Sequence, residues 1–267
     1  MRIKIECGAW QAAPKAFPSG RAAFAIGDVH GHARHLSALQ DFIRARIEAH
    51  YEAARTSLVW VGDYVDRGPE PLRCLDLAAA GLAIPGLEQV RLLGNHERFL
   101  LDNLRPGDHP AADLMIWISN GGQETIKAMA PDYAGTDSRS LAAALRDALG
   151  PERLEFLEGL TLRHRIGDYV FVHAGINPAR PLDAQSEEDL IWIREPFLAG
   201  RPWPHEVVVV HGHTPGDPVV LPHRIGIDSG VFYSGKLTAV EIAEDRLRFV
   251  TAADVNRGRR FWGSLFD

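Results

Sequence analysis

The sequence predicts an α/β fold in which two mixed β-sheets pack as a sandwich with flanking helices and a helical insertion. Three observations carry this expectation. Apolar runs end repeatedly in Gly-rich polar turns, the first three runs alternate with helix-like stretches, and the second half is dominated by short strand-like runs. A chain of 267 residues with 46% hydrophobic content can build one substantial core, so residues 1–267 read as a single domain.

The elements follow in order. Lys15 to Arg21, with Pro18 and Gly20, reads as a loop entering the fold. RAAFAIGDVHG is an apolar strand running into a Gly-rich turn. From Ala33 to about His50, apolar residues at Leu36, Leu39, Phe42, Ile43 and Ile47 have the spacing of an amphipathic helix. SLVWVGDYVDRG repeats the strand-to-turn pattern, and Pro69 to Ala80 follows as a helix with its prolines tolerated early. LEQVRLLGNHE is a third such strand, with a short helix near Phe99. Residues from about 105 to 160 form the helical insertion, with helices over 111–129 and 140–157 separated by a Pro/Asp/Gly loop. TLRHRIGDYVFVHAG then reads as a hairpin turning at Gly-Asp, and VVVVHGHTPG as a buried strand. RIGIDSG, KLTAVEI and RLRFVTA are further strands, assigned with these to the second sheet.

Composition removes several function classes. The net charge of -6 gives no uniformly basic face for nucleic acid, no stretch reads as a membrane span, and no signal-peptide pattern opens the chain, so a cytoplasmic protein is expected. Cys7 and Cys74 form no CxxC pair and are expected to be inert thiols. Neither lies in a CxxxxxR phosphate-binding loop that would make it a nucleophile.

Five strand ends carry candidate chemistry: Asp28 and His30 in GDVHG, Asp63 and Asp66 in GDYVDRG, Asn95 and His96 in GNHE, His173 in HAG, and His213 in GHT. Ligands in α/β folds collect beyond the carboxyl ends of strands, so these residues are expected in one crevice. Carboxylate, imidazole and amide oxygen suit Mn, Fe or Zn. A lone His of this kind would more often be a structural hydrogen-bonding group, and it is the joint pattern that points to a metal site.

These ordered motifs resemble those of the calcineurin-like metallophosphoesterases, and the DRG form at Asp66 to Gly68 resembles the phosphoprotein phosphatase branch, above all the compact bacterial and phage serine/threonine phosphatases. The resemblance runs from about Ala22 to Ala252 and weakens across the insertion and in the tail from about 253 to 267. It implies two metal ions, with Asp28 and His30 on the first, Asp63 bridging, and Asn95, His173 and His213 on the second. Mn is the expected metal, with Fe and Zn also compatible. His211 is expected beside the ligands rather than among them.

Two cations roughly 3.5 to 4 Å apart can clamp an in-line phosphoryl transfer to a bridging hydroxide, with no phosphoenzyme. Arg67 and Arg194, the latter in WIRE, are the candidates for holding the phosphoryl oxygens, since guanidinium matches them in a bidentate way. An ion pair of Arg194 with Glu187, Glu188 or Glu195 is the competing reading. His96 is the candidate general acid, oriented by Asp66. Asp228 in IDSG is a candidate hydrogen-bond partner of His213 or Arg194, and Tyr233 a weaker candidate for substrate contact. Trp192 and Phe197 read first as core packing, as do the aromatics of the C-terminal RGRRFWGSLFD.

The expected activity is a phosphomonoesterase acting on phosphoserine or phosphothreonine, and on phosphotyrosine as a further target, in proteins or peptides. Hydrolysis of a dinucleoside tetraphosphate or another small phosphorylated molecule is the alternative. A phosphodiesterase and a non-catalytic metal-holding scaffold are more distant readings. No nucleic-acid or membrane partner is expected.

Overall fold

The structure is a computed structural model that describes residues 2–105, 111–133, 138–200 and 203–255. The tail aromatics fall outside the described residues.

Strands β1 (Ile3–Cys7) and β2 (Gln11–Ala12) precede β3 (Ala22–Ile26), which leads into α1 (Ala33–His50). Next come β4 (Thr56–Trp60), α2 (Pro71–Ala80), β5 (Glu88–Arg91) and α3 (Asn95–Asn103). The insertion holds α4 (Ala111–Trp117), a π-helical turn at Ile118–Gly122, α5 (Gln123–Met129) and α6 (Ser138–Glu158). The second half contains β6 (Arg163–Ile166), β7 (Tyr169–Val172), α7 (Glu187–Trp192), β8 (Val208–His211), β9 (Val219–Leu221) and β10 (Arg224–Gly226). It closes with α8 (Val231–Ser234), β11 (Lys236–Ala243) and β12 (Arg246–Asp254).

One seven-stranded sheet has the order β1-β12-β11-β3-β4-β5, with β2 also on β12, and the other runs β6-β7-β8-β10-β9. KLTAVEI and RLRFVTA, expected in the second sheet, are therefore strands of the first. β11 lies antiparallel to β3, from Ala239 opposite Ile26 to Ala243 opposite Ala22, and β12 lies on β11. Their alternation marks them as strands, but the partner is chosen by packing far along the chain. The opening residues, which the sequence left unassigned, form β1 on the outer side of β12.

Side-chain alternation sets the layers. Phe24, Ile26, Leu58 and Trp60 pack toward the helices, while Ala23, Ala25, Val59 and Val61 face the other sheet. Tyr169, Phe171, Val208 and Val210 meet them from β7 and β8. Val170, Val172 and Val209 turn the opposite way, onto Leu190, Ile191 and Phe197. Strands covered on both faces need near-continuous apolar sequence, which explains runs such as VVVV. Cys74 is buried and Cys7 exposed, both as free thiols.

The insertion departs from the expected pair of continuous helices. Gly121, at φ 106, breaks the first, and Gly150, at φ 67 before Pro151, kinks the second.

β3, β4 and β5 are parallel, as are β7 and β8, so the polar turns after each strand emerge together. The turn after β4 is held by Glu97 on α3. Its fully buried carboxylate accepts the backbone N–H groups of Asp63 (2.8 Å) and Gly94 (3.1 Å) on Oε2, and of Tyr64 (2.7 Å) and Val65 (3.1 Å) on Oε1. Burial and the Asp63 charge raise the Glu97 pKa, and these N–H donors oppose the rise. Glu97→Gln turns an amide NH2 toward two of the donors. It is expected to cost about 3 kcal/mol in urea denaturation. An unchanged midpoint would show that the turn does not depend on this carboxylate.

Candidate metal centre

Asp63 sits at the centre of the crevice. Its Oδ2 lies 3.5 Å from His30 Nε2, and its Oδ1 lies 3.4 Å from His173 Nε2, so the two oxygens face different imidazoles. Oδ1 also accepts the His96 N–H at 3.1 Å. Ligand atoms gather into two buried groups that share Asp63: Asp28, Asp63 and His173 in one, and His30, Asp63 and His96 in the other.

The imidazoles are oriented from behind. His173 Nδ1 meets Val61 O at 2.8 Å and His30 Nδ1 meets Val65 O at 3.0 Å, which directs each Nε2 inward when Nδ1 carries the proton. Asn95 Oδ1, at the N-terminus of α3, lies 2.8 Å from His173 Nε2 and 2.9 Å from His213 Nδ1. Burial is the leading cause that lowers the His173 pKa to about 4 and the His213 pKa to about 3; Arg194 is the next contributor at His213. Both rings are therefore neutral at neutral pH, the form that binds a metal.

Asp28, at the end of β3, accepts the His213 N–H on Oδ2 at 2.9 Å. Its Oδ1 is buried without a hydrogen-bond partner. Burial, then Asp228 and Asp63, raise its pKa well above the usual carboxylate value. Gly212 leaves this oxygen its space, since a Cβ there would stand 1.8 Å from Asp28 Oδ1. An unpartnered buried carboxylate oxygen amid carboxylates, neutral imidazoles and an amide oxygen is the donor set that a hard or borderline cation fits.

The backbone around these groups is strained. Among the described residues, the six non-glycine positions with positive φ are His30, Asp63, Asp66, Arg67, His213 and Glu244, and all but Glu244 are residues singled out from sequence. At Gly31, with φ +65, a Cβ would approach the Gly68 carbonyl to 2.6 Å, so the turns after β3 and β4 meet at bare backbone.

Asp66 and His96 form a buried pair, with Nδ1 2.6 Å from Oδ2. Burial disfavours the charged imidazole, but Asp63 and Asp66 outweigh it and the His96 pKa is raised. Arg67 Nη1 lies 2.7 Å from His30 Nε2, and its guanidinium stacks over Phe232 at 4.6 Å. Arg194 is exposed just beyond α7 and makes no ion pair with Glu187, Glu188 or Glu195 among the described residues; Glu187 instead lies near Arg98. Trp192 contributes its carbonyl to His213 Nε2 at 3.2 Å and its ring to an edge contact with Phe99.

Among the remaining expectations, the one for Asp228 needs correction. Asp228 pairs with neither His213 nor Arg194: its Oδ1 accepts the Gly230 N–H at 2.8 Å, and its charge acts on Asp28. His211 faces away from the cluster, with Nδ1 2.9 Å from Gly212 O and Nε2 3.3 Å from Arg224. Phe197 is buried core against His211, His223 and Trp203, and Tyr233 is exposed. Sequence reading missed Glu97, Trp117, Thr125 and Phe232. The Asn-Gly-Gly run at Asn120–Gly122 was the one local sign that the insertion bends beside the crevice.

A family model described as calcineurin-like phosphoesterase matches residues 23–246. Serine/threonine-protein phosphatase 1 of Salmonella typhimurium is 28% identical over 239 residues, covering 83% of this chain and 92% of that protein. A symmetrical bis(5'-nucleosyl)-tetraphosphatase of Methylococcus capsulatus is 34% identical over 158 residues, covering 59% of this chain and 44% of that protein. The crystal structure of a cold-active protein-tyrosine phosphatase from a psychrophilic Shewanella species superposes with a TM-score of 0.54 at 17% identity, over 88% of this chain and 80% of that one. The matched span takes in every strand end of the crevice, and the chain belongs to the calcineurin-like phosphoesterase family.

Proposed function

We propose that this phosphoesterase is a phosphoprotein phosphatase that hydrolyses phosphoserine and phosphothreonine monoesters, with phosphotyrosine as a further target. The observation that carries this reading is the Asp66–His96 pair beside Asp63. An alkoxide is a poor leaving group and needs a proton as it departs. The phosphate released from an anhydride needs much less help. Similarity over 92% of the Salmonella phosphatase supports the same reading.

Asp28, His30, Asp63, Asn95, His173 and His213 are the proposed ligands of two ions, for which Mn is the first choice and Fe and Zn are compatible. When bound, such cations supply Lewis-acid charge to phosphoryl and water oxygens. Asp63, whose two oxygens face different imidazoles, is the proposed bridge. To ligate through Nε2, His30 must release its contact with Arg67. The freed guanidinium then has a phosphoryl oxygen as its natural acceptor. Arg194, exposed and without an ion pair among the described residues, is the second proposed clamp. His96 holds its proton under the charges of Asp63 and Asp66 and delivers it to the leaving oxygen.

A dinucleoside tetraphosphate is the competing substrate, favoured by the 34% identity to the Methylococcus enzyme. Phosphate release from phosphoserine, phosphothreonine and phosphotyrosine peptides is to be compared with nucleotide release from diadenosine tetraphosphate, on protein reconstituted separately with Mn, Zn, Mg and Fe. Peptide turnover is expected to dominate. Dinucleotide cleavage with negligible peptide turnover would overturn the phosphoprotein assignment.

His96→Asn is expected to keep its metals by elemental analysis and to slow phosphoserine peptide hydrolysis by about 10²-fold or more. Nitrophenyl phosphate, with its better leaving group, should slow much less. Loss of metal from the variant would instead make His96 a ligand, a role its place in the group with His30 and Asp63 also permits.

A further inference from the structure

The helical insertion is fastened to the turn after β4 through Asp66 and Arg67. The Thr125 hydroxyl donates to Asp66 Oδ1 at 2.5 Å and accepts the Asp66 N–H at 2.9 Å. Trp117 Nε1–H donates to Asp66 Oδ2 at 2.7 Å, the same oxygen that holds His96. Arg67 is tied to the same segment, by its N–H to Gly121 O at 3.0 Å and by Nε to Asn120 O at 3.2 Å. Asp66, Trp117 and Thr125 are all fully buried.

Along an unbroken helix Trp117 and Thr125 would stand about 12 Å apart and on faces turned about 80° from one another. The π-helical turn at Ile118–Gly122, with Gly121 at φ 106, brings them together. Gly122 leaves the indole its place, since a Cβ there would meet Trp117 Nε1 at 2.5 Å. With these two donors in place, Asp66 keeps one orientation and presents one oxygen to His96 Nδ1. Without them its carboxylate is free to turn, and the imidazole loses its fixed direction.

We infer that Trp117 and Thr125 are positioning residues through which the helical insertion aligns His96 for proton delivery. The inference rests on the general-acid reading of His96 proposed above. Thr125→Val removes the hydroxyl at nearly constant volume, Thr125→Ser restores it, and Trp117→Phe removes only the indole N–H and part of the ring. Each is compared with the parent protein and His96→Asn on a phosphoserine peptide and on nitrophenyl phosphate. The downfield Nδ1 proton of His96 is followed by NMR in metal-free protein.

Thr125→Val and Trp117→Phe are expected to lower kcat on the peptide by about tenfold or more, because small misalignments of a reacting group carry large rate penalties. KM should stay unchanged, nitrophenyl phosphate should slow less, and the Nδ1 proton should shift. Thr125→Ser should regain the parent ratio between the two substrates and the parent resonance. Equal losses on both substrates, or an unmoved Nδ1 proton, while His96→Asn still discriminates between leaving groups, would overturn the positioning role and leave His96 as the acid. If His96→Asn itself fails to discriminate, the general-acid reading falls and the inference with it.

Discussion

The turn from Gly62 to Gly68 holds Asp63, Asp66 and Arg67 at positive φ, and the geometry of the site depends on keeping it there. Each such residue costs on the order of 1–3 kcal/mol, so the turn cannot hold this shape alone. It is braced from three sides. Glu97 collects the N–H groups of Asp63, Tyr64 and Val65 from α3. Val29 and His30 donate their N–H groups to Asp63 O at 3.0 and 2.7 Å, locking the turn after β3 onto it. Thr125 and Gly121 bind Asp66 and Arg67 from the insertion. The strain is local, and its compensation comes from three separate parts of the chain.

This explains what the sequence could and could not reveal. A buried strand that ends in Gly and a polar residue is legible because its pattern is local, and so Asp28, Asp63, Asn95, His173 and His213 were found as strand-end residues. Helix α1 was legible for the same reason, over the range expected. Strand partners are not local: nothing within KLTAVEI says that it lies beside Ala22–Ile26 rather than beside the β10 strand that precedes it. Side-chain hydrogen bonds across the fold are equally hidden. Nothing local in the sequence singles out Trp117 or Thr125, and only the bend between them reveals that both point at Asp66. Glu97 was visible inside GNHE, but four backbone donors converging on it can be seen only when two turns meet.

The electrostatics of the crevice are lopsided in a way that constrains its chemistry. Asp28, Asp63 and Asp228 are buried near one another, and their repulsion joins burial in raising the pKa of Asp28. The neighbouring His173 and His213 are held neutral and cannot serve as counter-charges. Among the described residues, Arg67 and His96 are the groups that bring positive charge to the cluster, and both are committed, Arg67 to His30, Asn120 and Phe232 and His96 to Asp66. Buried carboxylates with so little compensation favour a bound cation strongly, because it relieves repulsion and satisfies lone pairs together. Metal binding and fold stability should thus be coupled in this protein.

Counting donors separates the carboxylates of the crevice by role. Asp66 has Thr125 on one oxygen and His96 with Trp117 on the other, so protein hydrogen bonds engage both oxygens. Asp28 has one oxygen on the His213 N–H and the other with no partner. Asp63 lies between these cases, with a single backbone donor on Oδ1 and an imidazole facing each oxygen. A carboxylate whose lone pairs are consumed by the protein has little left to offer a cation but can orient an imidazole. One with free lone pairs in a buried site has the opposite capacity. Asp63 and Asp66 lie three residues apart in one turn, yet the elements packed against that turn prepare them for different work.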